Sequence, residues 1–375
     1  MARQAVNLSG TVEARGVAGR SGDIVLSGAE GAVSVTGRLD ASGRNGAAGG
    51  RVRVTGRRLA VAGVVDVNGA SGGRVSLRAG EELGLSGTIR ARGAVGTGGG
   101  VEATAPAVAL RGASIDASGT VGGGTVHLGG GRQGGGTLPH AQTVEVDGAT
   151  VIRADAEVSG RGGEVVVWSD AATRFAGTIT ARGGAQGGDG GAAEVSSKGH
   201  LAYAGTADLT AAQGVFGTLL LDPHNVTISG DADKASSGFT ASGDDSIINA
   251  TTLLTALKLA NVTVSTGTDG TQAGTITLAA NTPLSWTSGA TLTLQAAGVI
   301  TLNSDIAAAA GGLSLSSGGA ITPSAGVSVA RFALLQGDWT QNTASLPAFA
   351  AADFQIADGS FLRVTGGTGL GATPT

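Results

Sequence analysis

The chain has no cysteine, one methionine, seven prolines and few aromatic residues, only 3% of its 375 positions. Without cysteine, a disulfide framework and a thiolate metal site are both excluded. That absence suits secretion from bacteria and suits the cytosol equally. A thick globular core usually needs more aromatic volume than this. The few prolines, and the lack of a strict Gly-x-y period, exclude collagen. Charged residues make up 14% of the chain and the net charge is −4, which argues against a basic nucleic-acid surface. Apolar runs are broken within a few residues by Thr, Ser, Gly or Asp, so no transmembrane helix is expected. Met1-Ala2-Arg3-Gln4 carries no apolar signal region.

Glycine is what the chain has instead: 69 residues, far above the usual share of about 7%. It is not a disordered Gly/Ser linker, because Val, Leu and Ile recur between the glycines in alternating order. The segments ending at Gly16, Gly43, Gly69, Gly93 and Gly119 are alike, and those glycines are 27, 26, 24 and 26 residues apart. A period of this length built from short strands and turns is the signature of a solenoid.

Residues 49–73 show one coil. Val52 and Val54 alternate with Arg51 and Arg53 in a first strand, and Gly56 turns the chain. Leu59-Ala60-Val61 is a second strand and Gly63 a second turn. Val64-Val65-Asp66-Val67 is a third strand, closed by Asn68-Gly69. Three strands per coil of about 25 residues predict an all-β, right-handed parallel β-helix. The closing glycines are expected at positive φ, where other residues are strained. Stacking puts Glu13, Asp40, Asp66, Arg90 and Asp116 in one outward column. Arg15, Ser42, Asn68, Arg92 and Ser118 form another two residues on. Both columns read as solvated turn ladders. A single coil cannot offset its own backbone entropy, so stability is expected to be collective.

Two domains are expected. Residues 1–216 form a Gly-rich regular β-helix, with a loop at 129–142 inserted at a turn. Residues 217–375 continue it in a Thr-rich, less regular form. Within this second domain a single short helix is expected near 245–259, inside a helical reading of Asp244 to Leu259. There Ile247, Ile248, Leu253, Leu254 and Leu257 roughly share one face.

Three stretches carry a family likeness: Gly162 to Asp170 (GGEVVVWSD), Thr173 to Gly184 (TRFAGTITARGG) and Gly217 to Ile228 (GTLLLDPHNVTI). Trp339-Thr340-Gln341, Leu346-Pro347-Ala348-Phe349, Asp353-Phe354 and Gly359 to Arg363 extend it. Together they cover roughly residues 160–375. This region resembles the filamentous-haemagglutinin-like exoproteins of bacterial two-partner secretion systems. The run around Leu221-Asp222-Pro223 is fairly specific, whereas the earlier glycine repeats are generic to β-helices. The resemblance implies a secreted or cell-surface adhesin, exported through an outer-membrane partner transporter, with host or surface glycans or proteins as ligands. The family's export signal and amino-terminal secretion domain are missing here, which implies an interior-to-late shaft segment.

Catalysis on a β-helix needs clustered carboxylates, or a metal with a basic residue, in a groove. The candidate pair is Asp40 with Asp66, neighbours in their column, and the alternative reading of them is two solvated turn aspartates. Asp222 with His224 reads as a turn beside an exposed histidine. His127, His140 and His200 lack metal-ligand spacing. Gly187 to Gly191 does not fit the calcium nonapeptide, and any GxGxxG match is uninformative at this glycine content. Sequons occur at Asn7, Asn225, Asn249 and Asn261. Trp168 and Trp339 read as plugs of corners, and Trp286 stays open between plug and sugar platform. Thr275/Thr277 and Thr291/Thr293 resemble ice-binding pairs, but at irregular intervals. No catalytic, cofactor or metal residue is therefore assigned, and no nucleic-acid partner. The expected function is a non-enzymatic adhesin shaft. The alternatives are a carbohydrate-active β-helix enzyme and a purely mechanical spacer.

Overall fold

Short segments that alternate apolar and polar residues form strands with one buried face. The computed structural model describes residues 5–17, 21–231, 245–267, 273–342 and 349–365. Asp244, Leu346–Ala348 and Met1–Gln4, named above, lie outside the described residues. The fold is an all-β parallel β-helix, and the chain divides into two compact units. One comprises residues 1–196 with 205–218, the other residues 197–204 with 219–375.

In the first unit three columns of aliphatic side chains run up the stack. First strands align Ile24, Val52, Val75, Val101, Val126 and Val165. Second strands align Val33, Leu59, Leu83, Val108 and Val144. Third strands align Leu39, Val65, Ile89, Ile115, Ile152 and Ile179. All of these side chains are buried. Gly56 does not break the first strand from the second, because Arg51–Val61 runs as one strand of 11 residues. Its pairing with Arg74–Leu85 shifts register between Gly56 and Arg58, so the bend is a bulge rather than a turn.

The glycine pairs close each coil. After the third strand the chain makes a short excursion and returns. The second glycine of the pair then donates its N–H to the residue that follows the third strand. Gly73 donates to Val67 O at 2.8 Å, Gly99 to Ala91 O at 2.7 Å, Gly124 to Ala117 O at 2.8 Å and Gly163 to Ala154 O at 2.7 Å. The first glycine of each pair bonds forward instead, as Gly72 N–H does to Thr97 O at 3.0 Å. There is no room for a side chain at either place. A methyl group on Gly72 would overlap the Ala91 carbonyl of the next coil, and one on Gly73 the Gly50 carbonyl of the previous coil.

The glycines that mark the sequence period behave differently from expectation. Gly43, Gly69, Gly93 and Gly119 are not among the positive-φ residues. They are bridged coil to coil as Gly16 with Gly43, Gly69 with Gly93, and Gly93 with Gly119. Neighbouring backbone fills the space a Cβ would take: at Gly93 the Thr97 carbonyl, at Gly69 the Gly49 amide. Crowding, not a left-handed backbone, is what selects glycine there.

In the second unit one sheet aligns Val226, Ile276, Ile300, Ile321 and Trp339. Another aligns Val262, Leu292, Leu313, Phe332 and Phe354. The helix expected near 245–259 is shorter than its sequence pattern suggests. Asp245–Asn249 is a strand paired with Asn225–Ser229, and only Ala250–Ala256 is helical. The adjacent β-branched Ile247 and Ile248 favour the strand. Asn249 then caps the helix, its side-chain oxygen accepting from the Thr251 and Thr252 amides. Phe332, Trp339 and Phe349 pack ring to ring, with centroids 5.0–5.6 Å apart, and Trp339 is fully buried.

Adjacent glycines should give opposite results on substitution. Gly99→Ala drives a methyl into the Gly73 carbonyl and is expected to cost about 1–3 kcal/mol or more. The nearest atom to a methyl at Gly100 is Thr125 Oγ1 at 3.4 Å, so Gly100→Ala should change stability by no more than about 0.5 kcal/mol. Urea denaturation of the two variants measures both, and equal midpoints would contradict the coil closure.

Candidate functional site

The third-strand corner gathers the acidic residues that sequence reasoning singles out. Registers place Glu13, Asp40, Asp66, Arg90, Asp116, Arg153, Thr180 and Asp208 in a single column. Asp40 and Asp66 are adjacent in it, but they are not solvated: Asp40 is 1% and Asp66 6% exposed. One oxygen of each closes the local turn. Asp40 Oδ1 accepts from the Ser42 amide at 3.0 Å and hydroxyl at 2.6 Å. Asp66 Oδ1 accepts from the Asn68 amide at 3.1 Å. Asp116 and Asp208 repeat the pattern with the Ser118 and Thr210 amides.

The other oxygen takes an arginine from the preceding coil. Arg15 donates to Asp40 Oδ2 from Nε at 2.8 Å and from Nη2 at 2.6 Å. Arg38 Nη2 reaches Asp66 Oδ2 at 2.6 Å, and Arg92 Nη1 reaches Asp116 Oδ2 at 2.8 Å. Arg92 also pairs with Glu157. Higher up, Asp155 accepts from the Arg182 amide at 2.8 Å and from its Nη2 at 3.0 Å. Asp40, Asp66 and Asp116 therefore bond to the residue two positions on and to the coil below, not to Arg90. Arg90 forms no ion pair among the described residues.

Burial alone would raise the Asp40 carboxyl. The Arg15 and Ser42 bonds outweigh burial and hold it far below the usual carboxylate range. At Asp116 burial is likewise outweighed, by Arg92 and Ser118, and its carboxyl is also held low. A carboxylate saturated by donors and fixed in its ionised form neither donates nor collects a proton near neutral pH. At Asp40 and Asp116 the corner works as a strut.

A second cluster is only partly visible in the sequence. Insertion 129–142 folds back over Trp168, which is 3% exposed. Gly130 and Gly134 sit so close to the indole that a Cβ on either would press on its ring atoms. His140 packs on it with centroids 4.4 Å apart, and its Nδ1 lies 3.6 Å from Asp170 Oδ2. Gln133, at φ 50°, donates its amide to both oxygens of buried Glu194, at 2.9 and 3.1 Å. Glu164 receives His127 Nε2 at 2.9 Å and lies 3.5 Å from Arg132 Nη1. The His127 bond is the main cause that holds the Glu164 carboxyl low. Sequence reasoning misses Glu194 and Glu164, whose only signal is a lone acid in a strand of small and apolar residues.

Other candidates resolve individually. Trp286 is buried and donates Nε1–H to Ala290 O at 3.0 Å, so it plugs a turn. Asp222 and His224 are half-buried rather than exposed. The Asn225 and Asn249 amides donate to Asp245 Oδ1 and Asp231 O, which ties down the nitrogens glycosylation would need. Thr227, Thr277, Thr301 and Thr322 align despite unequal sequence intervals, but Thr275 has no such rank, since Val299 and Ala320 hold the matching places. Among the described residues no group of His, Asp and Glu is arranged to hold a metal ion. Comparison with protein-family models and with curated proteins finds no match to the chain.

Two measurements check these roles. Asp40 and Asp116 are held low, so their stabilisation is complete above the unfolded value of about 3.9 and is lost as pH falls through the lower folded values. The urea midpoint should hold level down to about pH 5 and drop below about pH 4. In Asp40→Asn the drop should be shallower, and an unaltered acid slope would contradict the strut. Separately, Trp168→Ala should cost about 3–5 kcal/mol and speed tryptic cleavage after Arg132. Unchanged digestion would show that the indole does not hold the insertion.

Proposed function

We propose that the chain is a non-catalytic shaft segment of a secreted or surface-exposed bacterial adhesin, acting in attachment to cells or surfaces. The observation that carries this reading is the state of the acidic corner. Among the described residues, the corner where Asp40 and Asp66 lie on adjacent coils is neutralised by arginines and serves the stack. Chemistry on a β-helix would need those groups free to exchange protons. The stretches that resemble the haemagglutinin-like exoproteins support the reading in another way. GGEVVVWSD supplies the glycine pair that closes a coil and the Trp168 that anchors the insertion. In this reading the parent protein passes through an outer-membrane partner transporter and meets glycans or proteins on the target surface.

The purified chain, immobilised on beads, is expected to retain target cells at least about tenfold above beads coated with an inert protein, a difference of about 1.4 kcal/mol. Absence of retention by a folded chain would leave only a mechanical spacer. Release of reducing ends from a polysaccharide, lost on Asp40→Asn and Asp66→Asn, would replace the shaft by an enzyme.

A further inference from the structure

We propose that the first-strand face of the first unit carries a binding groove for an acidic polysaccharide, one with carboxylates along its backbone. The groove encloses about 690 Å3 across four successive coils. Its cations are Arg51, Arg53, Arg74 and Arg78, and its single lining carboxylate is Glu102. All four arginines project outward, since the alternating Val52, Val54, Val75 and Leu77 are buried.

The arrangement contrasts with the paired arginines elsewhere in the unit. Arg15 and Arg38 at the third-strand corner, and Arg57 and Arg58 at Glu81, are answered by close carboxylates. On the groove face Arg51 and Arg74 are direct register partners on neighbouring strands. That spacing is about 4.8 Å, and like charges so placed repel. Arg53 stands two residues along from Arg51, about 7 Å away. Neither Arg53 nor Arg74 forms an ion pair among the described residues. The partners of the other two are distant: Arg51 to Asp23 at 3.8 Å and Arg78 to Glu102 at 3.6 Å. A local conflict that internal pairs compensate only in part suits a surface that is completed from outside.

The floor defines the ligand further. Gly100 takes the outward place between Arg74 and Thr125, so the strip beside the arginines is open and flat. Ser76, Thr97 and Thr125 add hydroxyls along it. Guanidinium forks bind carboxylates bidentately, and hydroxyls with exposed backbone suit sugar hydroxyls. No aromatic side chain lines the groove for base stacking, which disfavours a single-stranded nucleic acid. A linear polyanion lying along the stack meets one coil about every 4.8 Å.

The inference rests on the attachment reading in one respect, that the surface holds a polymer without cutting it. The test is binding of polygalacturonate to the full chain by calorimetry, with dextran and duplex DNA as comparison polymers. Polygalacturonate is expected to bind and dextran not to bind. Arg53→Gln with Arg74→Gln should weaken binding at least about tenfold, the loss of two charge-assisted contacts, without lowering the melting temperature, because both residues are exposed. Arg57→Gln with Arg58→Gln, away from the groove, should leave affinity unchanged. Failure of the wild-type chain to bind overturns the groove and leaves the shaft reading standing. Equal affinity in the Arg53/Arg74 variant, or tighter binding of DNA through the same arginines, also overturns it. Binding followed by depolymerisation keeps the groove and overturns the non-catalytic reading.

Discussion

Each coil of the first unit is closed by one short contact, an N–H of the second glycine in a pair to the carbonyl that follows the third strand. Gly73 with Val67, Gly99 with Ala91 and Gly163 with Ala154 make it within 2.8 Å. Backbone of the coils above and below presses on the pair from both sides, so no side chain fits. That constraint sets the width of the stack. A narrow interior takes one layer of Val, Leu and Ile per strand, which explains why few aromatic residues are needed. It also makes the energetics collective. The first glycine of each pair bonds only to the next coil, so a coil without neighbours loses those bonds and half the cover of its aliphatics.

Charge follows from the same geometry. A repeating corner puts the same position of every coil in a column, and the residue there must agree with its neighbours at about 4.8 Å. Asp40 and Asp66 would repel if left alone. Arg15 and Arg38 enter from the coil below, Arg15 with two N–H groups on one Asp40 oxygen and Arg38 with one on Asp66. A buried charge stripped of its partner is costly, so each such pair ties the order of coils as well as their distance. The Trp168 cluster reaches the same end by other means. An insertion that lengthens one coil, so that Ile115 and Ile152 stay register partners 37 residues apart, is folded onto the outer face and held by an indole and two glutamates.

Most of the architecture is legible in the sequence because period and alternation are linear signals. Val52, Val65 and Ile89 can be assigned to the interior from spacing alone. The reason for the glycines is not legible. Gly69 and Gly93 look like turn residues at positive φ, yet they are demanded by neighbouring backbone, from the coil below at Gly69 and from the returning loop at Gly93, and such crowding leaves no trace in the sequence. The aspartates are placed in the right column but with the wrong surroundings, since burial of Asp40 depends on Arg15 and Ser42 folding over it. The strand at Asp245–Asn249 reads as helix because Ile247 and Ile248 fit a helical face with Leu253 and Leu257. Pairing to Asn225–Ser229 and the Asn249 cap override that pattern, and neither is a local property.

A stack of this kind has no interior cleft to offer, because its inner columns are filled by the side chains that hold it up. Whatever it recognises must be met by outward positions, and these are the positions the fold leaves free to vary. Outward charges that serve the stack are recognised by the partners they hold. Arg15, Arg38, Arg92 and Arg182 are balanced within hydrogen-bond distance. Arg53 and Arg74 are not, and they stand on the same face of neighbouring coils, where stability alone would favour opposite signs. Removing Arg74 would relieve its repulsion with Arg51 at no cost to the core, so the fold itself gives no reason for that arginine.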